Sequence, residues 1–134
     1  MKRLIIMTLI LTFCMSANAL GEDKKNTNTK TGDKRNSCIA ILGAAVYNQF
    51  LETNCGFNAK VSDYGKYIYV NAGCGKVLLP REVEQISKSV IEDSKKRFYE
   101  YGKKKFCNIN KMQYQDLANE LNKKMPKAVV QKKK

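Results

Sequence analysis

The sequence predicts an all-α fold, a small domain of three to four helices stapled by two disulfides. Three observations predict it. Apolar residues recur at three- and four-residue spacing through most of the stretch from Ser37 to Met125. Both prolines, Pro80 and Pro126, stand at the edges of such stretches, where a helix tolerates them. Four cysteines, an even number, lie beyond an apolar N-terminal leader.

The leader comes first. Met1, Lys2 and Arg3 form a short cationic start, and Leu4 to Met15 is apolar apart from Thr8 and Thr12. Ala17-Asn18-Ala19 then places small residues where a signal peptidase inspects the chain. A spanning helix needs roughly 20 apolar residues to cross ~30 Å of hydrocarbon, and this run is too short. Residues 1–19 are therefore expected to be a cleaved signal peptide. A lipoprotein signal around Cys14 is disfavoured by the bulky Phe13 before it. Residues 20–36 are polar and charged, without an aliphatic or aromatic residue from Gly21 to Asn36. Such a segment buries too little to offset the entropy of ordering, which predicts a disordered arm.

The folded domain is expected over 37–125. Ser37 is a suitable N-cap for a first helix, which is apolar nearly all round from Cys38 to Leu51 and so should be the most buried element. It should end near Thr53, with Gly56 free to turn. The next segment, Ala59 to Ala72, is ambiguous. Val61, Tyr64, Ile68 and Ala72 share one helical face, yet Tyr67-Ile68-Tyr69-Val70 is rich in β-formers; helix is the preferred reading. Gly73-Cys74-Gly75 interrupts any regular element. The long helix is the clearest. Pro80 suits its first position, Glu82 and Glu84 complement its dipole, and Val83, Ile86, Val90, Phe98 and Tyr101 form a stripe broken at Ser94, with Gly102 as the stop. For a last helix, Asn110 and Gln113 have capping-box spacing, and Ile109 and Tyr114 are placed for a hydrophobic staple. Tyr114, Leu117, Ala118, Leu121 and Met125 give that helix an apolar face, and 126–134 form a basic tail.

The cysteines Cys38, Cys55, Cys74 and Cys107 contain no C-x-x-C pair, and the chain has no histidine, so disulfides are favoured over a metal site. Three pairings are possible. Cys38 and Cys55 flank the first helix, as Cys74 and Cys107 flank the long one. If these two helices pack antiparallel, Cys38 meets Cys107 and Cys55 meets Cys74. Closing those loops would contribute about 3 and about 4 kcal/mol as upper bounds, enough that the reduced chain should be largely unfolded or molten.

The chain carries 25 Lys and Arg against 12 Asp and Glu. Removing Lys2 and Arg3 with the leader takes the net charge from +13 to +11. Such an excess favours anionic partners, or simply keeps the chain soluble. The C-terminal lysines Lys123, Lys124, Lys127, Lys132, Lys133 and Lys134 are candidate anion contacts. A second basic stretch, Lys95 to Phe106, interleaves lysines with aromatics, the pattern that tracks phosphates and stacks bases. Phe98 and Tyr101 continue the apolar stripe and are read as core, leaving Tyr99 as the surface aromatic.

No catalytic, cofactor or metal motif emerges. Without histidine there is no imidazole base and no Ser-His-acid triad. None of Ser37, Ser62, Ser87, Ser89 and Ser94 has a lysine three residues later. Glu92 and Asp93 are adjacent acids, but Glu84, Glu92, Asp93 and Glu100 each precede a basic residue by four, the spacing of a solvated helix face.

Gly32-Asp33-Lys34-Arg35-Asn36-Ser37-Cys38-Ile39-Ala40-Ile41-Leu42 resembles the opening of the TrbM/KikA-type conjugal-transfer proteins. The resemblance implies an exported accessory of an envelope-spanning type IV secretion apparatus, with no enzyme activity. The expected function is thus a non-enzymatic periplasmic or secreted binding protein with an envelope or extracellular protein partner and no cofactor. One alternative is a cationic binder of anionic lipid, lipopolysaccharide or other anionic polymer, with nucleic acid less favoured. Another is a small exported enzyme built on carboxylates.

Overall fold

The computed structural model describes residues 29–124. The leader, residues 20–28, Met125 and the tail with Lys127, Lys132, Lys133 and Lys134 lie outside the described residues. Among the described residues, four helices follow in chain order: α1 (Thr29–Cys55), α2 (Val61–Asn71), α3 (Pro80–Tyr101) and α4 (Lys103–Lys124), with a 3-10 turn at Cys74–Lys76 before α3. The architecture is the expected all-α one.

The path of the chain follows from pairs of touching residues. Glu52 bonds Ser62, and Gly65 crosses Ala45, so α2 runs antiparallel to α1. This return brings the chain back to the start of α1. The following helix, α3, then runs parallel to α1: Arg35 pairs with Glu82, Gly43 lies against Val90, and Phe50 meets Phe98 with ring centroids 5.9 Å apart. At Gly102, whose φ of 75° suits glycine, the chain turns sharply into α4. This helix crosses the far end of α1 and reaches α2, where Tyr64 donates to Asn122 at 2.8 Å.

That path decides the cysteine pairing. The disulfides are Cys38–Cys74 and Cys55–Cys107, with Cα atoms 5.4 and 5.5 Å apart. The expected pairing of Cys38 with Cys107 and Cys55 with Cys74 is therefore wrong. It assumed that the first and long helices are antiparallel neighbours and gave α2 no part in the path. Because α2 is the antiparallel partner, Cys74 arrives beside Cys38, and Cys107 follows a parallel α3 to the end where Cys55 lies.

Each disulfide sits in its own apolar cluster. Cys38, Cys74 and Leu78 form one, with Ile39, Leu42, Val83 and Ile86 packed around them. The other comprises Phe50, Leu51, Val61, Phe106, Tyr114 and Ala118. Phe106 is its centre: its ring stands edge-on to Phe50 and Phe98, at 6.1 and 5.5 Å. Ser94, the gap in the α3 stripe, is wholly buried and donates to the Val90 carbonyl at 2.6 Å, so its hydroxyl stays inside the helix.

Three local expectations are corrected. First, α1 begins at Thr29, so 29–36 are helical and the disordered-arm reading fails there. Ser37 does not cap; it donates to the Asp33 carbonyl one turn back. Arg35 anchors this polar extension to Glu82, whose carboxylate also accepts from the Leu79 N–H and caps α3. Second, α4 starts at Lys103, directly after Gly102, so Asn110 is no N-cap. Its amide donates to the Phe106 carbonyl and its oxygen accepts from the Tyr47 hydroxyl. Third, Tyr101 is 48% exposed, because the last turn of α3 runs beyond the core.

Non-reducing peptide mapping should recover Cys38 joined to Cys74 and Cys55 joined to Cys107; the other two pairings would refute this path. The loops of 36 and 52 residues are worth about 4 kcal/mol each at most, so reduction should shift the urea midpoint sharply. At the crossing of α1 and α2, a Cβ on Gly65 would stand 2.7 Å from the Ala45 Cβ and 3.0 Å from its Cα. Gly65→Ala should therefore destabilise by about 1–3 kcal/mol, although alanine is the better helix former. A stabilised variant in urea denaturation would show that the helices do not cross there.

Candidate functional site

The six candidate anion-contact lysines are divided. Lys123 and Lys124 lie at the end of α4 and both face Glu120, at 3.3 and 3.6 Å. The other four lie outside the described residues. The adjacent acids of α3 are exposed and lie beside cations: Asp93 pairs with Arg97 at 2.6 Å, and Glu92 lies 4.0 Å from Lys88, the lysine one turn before it. Among the described residues no three of His, Cys, Asp and Glu gather as metal ligands.

One buried-facing acid was not singled out by sequence reasoning. Glu52 is the sole charged residue of the apolar run Cys38–Cys55, and that isolation is the signal that could have found it. It is half-buried. One oxygen accepts from the Ser62 N–H at 3.0 Å and from the Tyr114 hydroxyl at 2.9 Å; the other accepts from the Ser62 hydroxyl. The first helical residues of α2 have no cap of their own, since Lys60 makes no side-chain cap bond. A carboxylate on α1 thus caps α2 and ties it to α4. With its oxygens so engaged, Glu52 holds three helices together instead of presenting a base to solvent.

The surface of the described residues includes three concave regions. An apolar groove of about 390 Å³ runs between α1 and α3, lined by Phe50, Ile91, Phe98 and Tyr99 among others. A polar groove of about 730 Å³ opens over the Cys55–Cys107 disulfide, with Asn58, Asn108, Asn119 and Asn122 on its walls. A shallow depression of about 540 Å³ lies at the α3–α4 corner, formed by Tyr101 to Lys105 with Asn108 and Ile109.

The corner is the most distinctive chemically. Lys103, Lys104 and Lys105 open α4 beside the exposed Tyr101 at the end of α3. The Lys105 ammonium lies 5.5 Å from the Tyr101 ring centroid. Among the described residues, none of Lys95, Lys96, Lys103, Lys104 and Lys105 has a carboxylate within ion-pair distance, unlike Lys123 and Lys124. The structure therefore brings together the basic-aromatic stretch of the sequence, with Phe98 turned into the core and Tyr101 turned out.

Burial of Tyr114 together with its bond to Glu52 pushes the phenol up to about 12 from an ordinary value of 10.0. Below pH 10 the phenol is protonated whether the chain is folded or not, and stability is untouched. Between about 10 and 12 the unfolded chain loses the proton first, so stability falls as pH rises. Tyr114→Phe should be less stable at neutral pH by about 1 kcal/mol, for the lost bond. It should also lose less across the alkaline window, read as urea midpoints below and above pH 10. Parallel alkaline losses in the two proteins would refute the coupling.

No family model matches the chain, and neither curated proteins nor solved structures show significant similarity to it.

Proposed function

We propose that the chain is exported to an oxidising compartment and serves there as a non-enzymatic binding or accessory protein. The observation that carries this reading is the pair of disulfides, Cys38–Cys74 and Cys55–Cys107, both built into apolar clusters. Disulfides form and persist in secreted and periplasmic proteins and are rare where thiols are kept reduced. Among the described residues no helix is long and apolar enough to cross a membrane. The leader pattern of residues 1–19 is in keeping with export, and the resemblance of Gly32–Leu42 to TrbM/KikA-type proteins would place the accessory role in a type IV secretion apparatus. The basic corner favours a second reading, a cationic binder of anionic surfaces, which is compatible with the first.

The test is chemical trapping in a bacterial host expressing the full chain. Fractions are capped with a polymer-maleimide before and after reduction, and the N-terminus of the recovered protein is sequenced. The expected outcome is a protein outside the cytosol that starts at Leu20 and takes up maleimide only after reduction. A cytosolic protein starting at Met1, with its cysteines freely capped, would refute export.

A further inference from the structure

We propose that the α3–α4 corner is a docking surface for an anionic lipid bilayer, and that it does so apart from the C-terminal lysines. The inference rests on the exported reading only for access to an envelope membrane; the binding itself is a property of the folded surface.

Phe106, Asn110, Tyr114 and Ala118 recur every four residues and face the interior. The opposite face therefore carries Lys105, Ile109 and Met112, at helical spacing. Ile109 is 58% and Met112 is 73% exposed, an unusual cost on a face otherwise free to be polar. Beside this stripe run Lys104, Asn108 and Lys111, again one turn apart. Tyr101, 48% exposed, borders the same depression as Lys105 and Ile109. Aliphatic, aromatic and cationic groups thus share one surface.

The combination selects among anions. A nucleic acid would use the lysines for phosphates and Tyr101 for base stacking, but it gains nothing from Ile109 and Met112. At a bilayer all three groups have a use. Lysines gather at anionic headgroups. Tyrosine rings settle at headgroup depth, polar tip outward. Exposed aliphatic side chains leave water at the boundary with the acyl chains. The unpaired state of Lys103, Lys104 and Lys105 among the described residues means that no internal ion pair must break for them to engage lipid.

The test is flotation with vesicles, using the oxidised protein as recovered from cells. Vesicles are phosphatidylcholine alone or phosphatidylcholine with phosphatidylglycerol, and a single-stranded oligonucleotide serves as a competing polyanion. Lys103→Gln/Lys104→Gln/Lys105→Gln removes the corner charge, Ile109→Ser/Met112→Ser removes the aliphatic stripe, and Lys123→Gln/Lys124→Gln is the comparison at the far end of α4. Circular dichroism checks that each remains helical. Wild type should float only with the anionic vesicles. The triple variant should lose about 100-fold in affinity, the aliphatic variant should lose several-fold, and the far-end variant should match wild type. An equal loss in the far-end variant would overturn the inference, as would an aliphatic variant that binds like wild type while the oligonucleotide displaces the protein; that second result would mark the corner as a nucleic-acid site. Absence of flotation refutes the docking surface alone, because thiol trapping reads export separately.

Discussion

Both disulfides attach to α1, at Cys38 and Cys55, about 26 Å apart along a helix rising 1.5 Å per residue. Everything else is placed relative to that doubly pinned rod. The first bond fixes where α3 begins, and the second fixes where α4 begins. Between them the small contact of Gly65 on Ala45 lets α2 lie close enough to return the chain. A bundle of this length has a modest core, and here it is split into two clusters. Each cluster is closed by its own covalent tie.

How much of this was legible in the sequence depended on whether the signal was local. The limits of α3 were, because Pro80, the first-turn Glu82 and Gly102 each act within one turn of the backbone. The start of α4 was not. Asn110 and Gln113 have the spacing of a capping box, yet the same spacing serves a mid-helix asparagine that bonds Tyr47. The polar composition of 29–36 pointed to disorder, whereas its helix is extended from an apolar one and anchored by Arg35 to a residue 47 positions away. Cysteine pairing was least legible. It depends on the direction of α2, and one short ambiguous helix inverted the answer.

The surface shows the same divide. The stretch from Lys95 to Phe106 was visible as basic and aromatic, but periodicity could not tell which aromatics lie inside. Phe98 continues the stripe into the cluster around Phe106, and Tyr101 continues the same stripe past the end of the core into solvent. A stripe records helical phase; burial also requires something to pack against. Glu52 is the converse case. A lone acid in an apolar run reads as an exception until the uncapped start of α2 is seen to lie beside it.

The order of the bonded cysteines along the chain has a final consequence. The Cys38–Cys74 loop and the Cys55–Cys107 loop overlap without one containing the other. Any single peptide bond between residues 38 and 107 therefore lies inside at least one loop. A protease that nicks the connection after α1, or the segment around the 3-10 turn, cuts the backbone but leaves both fragments covalently joined. In a compartment rich in proteases, such a protein would tolerate a cut without shedding a part of itself.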